Sequence, residues 1–347
     1  MNLPVGCLTA TITPLTLDGE IDFDEFSSLL DFQLANGVNG VVVCGTTGEG
    51  PTITPEERVR LFSKALEVLG DRCLMVAGTG SNSTLRAMES TRQAYGIGSK
   101  AALLADPYYN APSSVEIRRE YYSPVAAAFP AMLIIPYIIP SRTGTELNPQ
   151  DLALLSHEYS NVVAVKDATG SVQNAASIRM LCGKQFSILS GDDDKTLALM
   201  TDPSVLANGV ISVVSNIAPK SVVQMVSAAL SGKMSEARKV AATLKPLFEV
   251  VTIKTEEQVL GGTVSVKARN PLPIKTLARL LGMPSGPCRR PLGRMTKVGL
   301  SQLISKIEAI WANNPEVLRP IESFFGVSIE ERLSSPRFRE GLYYECY

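Results

Sequence analysis

The chain has 347 residues, 45% hydrophobic and 19% charged, enough apolar material for one large core plus an appendage. Its formal net charge is −1 with the basic residues dispersed, which excludes the cationic surface that a nucleic-acid partner requires. No apolar run approaches the roughly 18 residues needed to span a bilayer, and the opening "MNLPVGCLTATITP" lacks the charged head and apolar segment of a secretion signal, so a cytoplasmic protein without a membrane partner is expected.

Eight short β-rich runs follow one another: 5–13 (VGCLTATIT), 38–45, 72–78, 100–106, 132–137, 161–166, 185–191 and 208–214. Continuous apolar runs of this length suit strands buried on both faces, as in parallel sheets. Helical patterns lie between them. The segment 54–70 is one: Thr54, then Pro55 at the first helical position, Glu56 and Glu57 in the first turn, and Gly70 as the stop. Eight strands alternating with helices predict an α/β fold, a (β/α)8 TIM barrel, rather than an open doubly wound sheet; no GxGxxG opens a helix after the first strand. After the eighth run, "PKSVVQMVSAALSGKMSEARKVAATLKPLFEVV" and "NPLPIKTLARLLGM" read as helices. The expected organisation is a catalytic barrel over 1–230, a C-terminal helical domain over 231–312, and an extension over 313–347, richer in Pro, Arg and Glu, that is docked or partly ordered.

The six cysteines are far apart and form no CxxC pair; Cys7, Cys44 and Cys73 fall in apolar runs and read as small buried residues. A disulfide framework is not expected, in keeping with a reducing compartment. The one histidine, His157, sits where a helix should end. One histidine and no cysteine cluster leave little for a transition-metal site, so neither metal nor cofactor is expected. Chemistry must come from Lys, Tyr, Thr, Arg or carboxylates.

In a (β/α)8 barrel the working residues sit after the strands, at the C-terminal face. That rule selects Thr46 and Thr47, Tyr108 and Tyr109, Tyr137 and Arg142, Lys166 and Asp167, and Asp192 to Asp194. Lys166 closes the sixth run, "NVVAVK". Apolar surroundings would disfavour its ammonium and leave a nucleophilic amine, able to form a Schiff base whose iminium is an electron sink. On position alone, a lysine snorkelling from a strand end or paired with Asp167 is an equal reading. Tyr137, on the neighbouring strand, has a phenol that can give and return a proton. "GTTGEG" offers paired hydroxyls and loop N–H groups but lacks the GK[ST] of a phosphate loop. Arg142, in "SRTG", can grip a carboxylate in a bidentate way. The acids of "SGDDD" read as a helix N-terminus that prefers negative charge.

Together, "GTTGEG", "DPYYNAPS", "YIIPSRTG", "VVAVKDATG", "LSGDD", "GVISVVSN" and "NPLPIK" resemble, in order and spacing over about residues 5–300, the dihydrodipicolinate synthase / N-acetylneuraminate lyase superfamily. The resemblance implies Schiff-base chemistry on pyruvate and a homotetramer of tight dimers. It implies Lys166 as the Schiff-base lysine, Tyr137 as proton donor and acceptor, Thr46 and Tyr109 as the relay, with Tyr109 reaching a neighbouring subunit's site. Thr47 matches the residue holding the pyruvate carboxylate, and Ile211 the one whose carbonyl lies near pyruvate. Arg142 suggests the synthase branch, where it holds the carboxylate of aspartate semialdehyde and the product is 4-hydroxy-tetrahydrodipicolinate. Other pyruvate-dependent class I aldolases, acting on 2-keto-3-deoxy sugar acids, 4-hydroxy-2-oxoglutarate or N-acetylneuraminate, are the alternative, and a non-catalytic barrel a third.

Two departures from the superfamily pattern bear on this. Around the tyrosine the chain reads "PYIIP", with Ile138 where the synthases carry asparagine; this would remove polar capacity from the site wall and admit a different aldehyde. In "GSNSTLRAM", Arg86 stands where lysine-inhibited members carry an acid, so weak or absent lysine inhibition is expected.

Overall fold

In the computed structural model, which describes residues 3–347, the eight runs become eight strands: β1 (Gly6–Ala10), β2 (Gly40–Val43), β3 (Leu74–Gly78), β4 (Ala101–Ala105), β5 (Leu133–Ile138), β6 (Ala164–Asp167), β7 (Ser187–Ser190) and β8 (Gly209–Ser212). They close in chain order into a parallel barrel, β8 pairing back onto β1. The closing seam needs glycine, because a Cβ on Gly209 would stand 2.0 Å from the Gly6 carbonyl oxygen.

Successive side chains point to opposite faces of each strand. Leu8, Leu103, Ile135, Tyr137, Leu189 and Ile211 fill the barrel interior. Ile134, Ile138, Val165, Ile188 and Val210 belong to the larger cluster between strands and helices. The expected wall position of Ile138 is therefore corrected: with Tyr137 inward, the period of two turns Ile138 outward, into the helical sheath. Pro136 also leaves its mark, since β5 pairs with β6 only at the two positions after it, Tyr137↔Lys166 and Ile138↔Asp167.

The helix Pro55–Leu69 forms as its start and stop signals predict. Thr54 and Glu57 make a reciprocal capping box, and Gly70 ends the helix at φ 53°. His157 lies in the last turn of the helix Pro149–Glu158. No described helix is long and apolar enough to cross a membrane.

The C-terminal region is helical, with one element the sequence reading did not anticipate. Between the helices Met234–Val250 and Leu272–Leu280 stands an antiparallel hairpin of β9 (Thr252–Val259) and β10 (Gly262–Arg269). Its signal is in the sequence: two period-two stretches flank the turn Leu260–Gly261. Ile253 and Thr255 are buried while Lys254, Glu256 and Gln258 face solvent. The extension is docked. Val317, Leu318, Ile321, Ile329 and Leu333 are buried, and the rings of Phe324 and Phe325 pack 5.3 and 5.1 Å from the enclosed ring of Phe32.

Candidate active site

The C-terminal ends of β5 and β6 carry the centre of the site. Lys166 is 4% exposed and Tyr137 5%. They are register partners, and the Lys166 Nζ lies 4.1 Å from the centre of the tyrosine ring. The lysine therefore does not snorkel to solvent. Nor is Asp167 its partner, because that carboxylate accepts from the backbone N–H of Thr169 (2.9 Å) and from Asn174 Nδ2 (3.2 Å). Ile211, on β8, joins the same interior cluster.

The acids after β7 divide their work. Asp193 is buried and accepts from the Ser212 hydroxyl and from the N–H groups of Val213 (2.9 Å) and Val214 (3.1 Å), which fixes the turn that leaves β8. Burial raises its carboxyl pKa. Asp193 and Asp194 stand in the first turn of the short helix Asp193–Lys195, as expected, but the Asp193 carboxylate serves the next strand's turn. Asp192, half-buried, makes no capping bond to its own short helix. Burial and then the Asp194 charge push it up to about 6, with Lys166 acting in the opposite direction.

The loop after β2 is strained and clamped. Cys44 and Glu49 both adopt left-handed backbone at φ 58°, and a Cβ on Gly50 would come within 2.3 Å of the Cys44 carbonyl oxygen. The Glu49 carboxylate accepts from Lys275 Nζ (2.5 Å) and from the Arg289 N–H (2.7 Å); both side chains of the ion pair are 1% exposed. Lys275 also donates to the Pro287 carbonyl (2.8 Å). Between these fixed points, the buried Thr47 accepts from Asn270 Nδ2 (3.0 Å). Thr46, half-buried, accepts at its carbonyl from the Glu49 N–H (3.2 Å).

Arg142 stands on the short helix Pro140–Thr143 after β5 and donates to the Asn270 carbonyl (2.8 Å). Asn270 thus ties the threonine loop to the rim arginine. At the end of β4, Asp106 is buried against the Tyr122 hydroxyl (2.7 Å) and the Leu147 N–H (3.1 Å), and burial pushes its carboxyl up to about 7. The loop it anchors carries Tyr109 outward, 88% exposed with φ 84°. Lys166, Tyr137 and Ile211 therefore meet in the barrel mouth, with Thr47 and Arg142 linked beside them through Asn270. Tyr109 stands apart, and among the described residues no hydrogen bond joins it or Thr46 to Tyr137. Asn270 and the Glu49–Lys275 pair carry no assigned role in the sequence reading, although "NPLPIK" and "GTTGEG" contain them.

An eight-stranded parallel barrel with a buried lysine at the end of its sixth strand, facing a tyrosine on the fifth, defines a class of carbonyl-reactive (β/α)8 proteins. The comparisons narrow that class. The "Dihydrodipicolinate synthetase family" matches residues 3–310, and the chain belongs to it. The 4-hydroxy-tetrahydrodipicolinate synthase of Methanococcus vannielii is 39% identical over 292 residues, 84% of this chain and 93% of that protein. The solved 4-hydroxy-tetrahydrodipicolinate synthase of Methylacidiphilum fumariolicum SolV superposes with a TM-score of 0.82 at 35% identity, covering 93% of this chain and all of that one (100%). The dihydrodipicolinate synthase of Aquifex aeolicus gives 0.80 at 34%, covering 90% and 99%.

Proposed function

We propose that this chain is a lyase that condenses pyruvate with aspartate semialdehyde, giving 4-hydroxy-tetrahydrodipicolinate for diaminopimelate and lysine synthesis. The carrying observation is the Lys166–Tyr137 pair, enclosed, in register and 4.1 Å apart from ammonium to ring centre. The Lys166 amine adds to C2 of pyruvate; Tyr137 gives and takes the protons as the carbinolamine loses water, and the iminium loses a methyl proton to become an enamine. Thr47 holds the pyruvate carboxylate, and the Ile211 carbonyl lines the same pocket. Arg142 holds the carboxylate of the aldehyde at the mouth. The enamine carbon attacks the aldehyde, whose own amine then adds to C2 and expels Lys166, so one water leaves per turnover.

Thr46 and Tyr109 complete the proton relay. The exposed, strained Tyr109 supports delivery of this residue to a neighbouring subunit, within a homotetramer of tight dimers. Ile138, directed away from the pocket, does not reshape the aldehyde site.

Borohydride reduction in the presence of pyruvate, followed by peptide mass mapping, tests the first half: a stable adduct on Lys166 is expected, and its absence would overturn the reading. Parallel turnover assays with aspartate semialdehyde, 2-keto-3-deoxy sugar acids and N-acetylneuraminate test the second. Faster turnover of either sugar-acid class would replace the aldehyde assigned here.

A further inference from the structure

The hairpin unforeseen in the sequence ends at the mouth of the site. Its last residue, Arg269, points Nη1 and Nη2 at the Ser141 carbonyl (3.4 Å) and hydroxyl (3.3 Å). The neighbour of Ser141, Arg142, in turn donates to the carbonyl of Asn270, the neighbour of Arg269. Each arginine thus braces the backbone beside the other, and their guanidinium groups share one rim.

Neither has a carboxylate partner. The arginines engaged in ion pairs among the described residues are Arg92, Arg118, Arg289 and Arg337. Burial first, and then the Arg269 charge, depress the Arg142 pKa, while Tyr137 and Asp192 act in the opposite sense. Two adjacent guanidinium groups without an anion repel, and a carboxylate placed between them removes that cost while accepting from both. Arg142 Nε and Nη1 and Arg269 Nε have no protein acceptor among the described residues, so the donors for such an anion are free.

We propose that Arg269 is the second arm of a carboxylate clamp at the mouth, acting with Arg142 on the carboxylate of the aldehyde substrate. This rests on the reading of the site given above. The hairpin then has a specific task, since β10 delivers the cation that completes the clamp. Pyruvate, bound deeper near Thr47, stays outside its reach.

The test is steady-state kinetics on the full chain with R269Q, R269K and wild type. Glutamine keeps a polar, hydrogen-bonding side chain but removes the charge, whereas lysine restores the charge without the fork. For R269Q the KM for aspartate semialdehyde should rise about tenfold, the size of one charge-assisted contact. Its KM for pyruvate should stay within twofold, and R269K should recover most of the loss. With the methyl ester of the aldehyde, which lacks the carboxylate charge, wild type and R269Q should be equal. A wild-type KM in R269Q, or an equal rise with acid and ester, would overturn the clamp and leave Arg269 a structural brace. Failure of the underlying reading is separately visible: wild type would then form no borohydride-trapped pyruvate adduct on Lys166.

Discussion

Lys166 and Tyr137 are paired across two adjacent parallel strands, and the ammonium stands 4.1 Å from the centre of the phenol ring. Parallel pairing with a side-chain period of two sends both into the barrel interior. Neither residue depends on a mobile loop for its placement. In the proposed reaction they divide the chemistry into a nucleophile and a proton shuttle. K166M should form no pyruvate adduct. Y137F should keep the fold and pyruvate binding but lose about 10²–10⁴ in kcat, the usual worth of a positioned acid–base group. A Y137F enzyme within tenfold of wild type in a coupled assay would remove Tyr137 from the proton path.

The clamp on the threonine loop depends on a buried ion pair, Glu49–Lys275, at 2.5 Å with both side chains 1% exposed. Removing one partner strands the other charge in the interior, which typically costs about 3–5 kcal/mol. K275M should therefore lower the denaturant midpoint sharply. K275M/E49Q should recover much of it, since no buried charge is then left and the glutamine amide oxygen can still accept from the Arg289 N–H. Because Thr47 lies on the same loop, K275M should also raise the KM for pyruvate. Equal stability of the single and double variants would show that the pair is not the clamp.

What the sequence disclosed and what it withheld divide along a physical line. The eight strands and the capped helix Pro55–Leu69 rest on local signals, namely apolar runs, capping residues and glycine stops, and these survive into the fold. Lys166 and Tyr137 were legible because strand ends in this architecture are functional positions. The helix-terminus position of Asp193 is a local signal, but the bonds of its carboxylate run to the turn after β8, which no local pattern reports. Asn270 and Lys275 act on Thr47 and Glu49 across more than two hundred residues, and no local pattern reports such contacts. The hairpin is different: its period-two alternation is local and legible on both sides of the Leu260–Gly261 turn.

Asp106 gives the fold a pH dependence of defined sign. Burial raises its carboxyl to about 7, so the neutral form is the one the folded state favours. The neutral acid can donate to the Tyr122 hydroxyl while that hydroxyl donates to the Leu104 carbonyl, leaving the other oxygen for the Leu147 N–H. A raised folded-state pKa contributes stability that is complete below the unfolded carboxylate pKa and lost as pH rises through the folded value. Stability should therefore decline between about pH 4 and pH 7. D106N mimics the neutral acid and should flatten that decline in urea titrations. Parallel wild-type and D106N curves would exclude Asp106 as the source.

Lysine should be a poor inhibitor. Arg86 is exposed on the helix Thr84–Gly96, at the position where the resemblance to lysine-inhibited members would require an acid. A guanidinium there repels a ligand ammonium. Initial rates should be unchanged by millimolar lysine, and micromolar inhibition would contradict the assignment.

Tyr109 predicts that the catalytic unit is shared between subunits. In one chain it is 88% exposed and held at φ 84°, a conformation that costs free energy in a non-glycine residue. It turns away from the pocket that contains Tyr137 and Lys166. If it completes the relay of a partner's site, Y109F and K166M should each be inactive alone yet restore one another when co-assembled. A mixed dimer then has one site with an intact Lys166 from the Y109F chain and an intact Tyr109 from the K166M chain. Random pairing at equal amounts should return about a quarter of the wild-type activity, because half the dimers are mixed and each holds one complete site. Size-exclusion chromatography must show the same assembly for both variants and for wild type. Mixed assemblies without activity would confine each relay to its own chain.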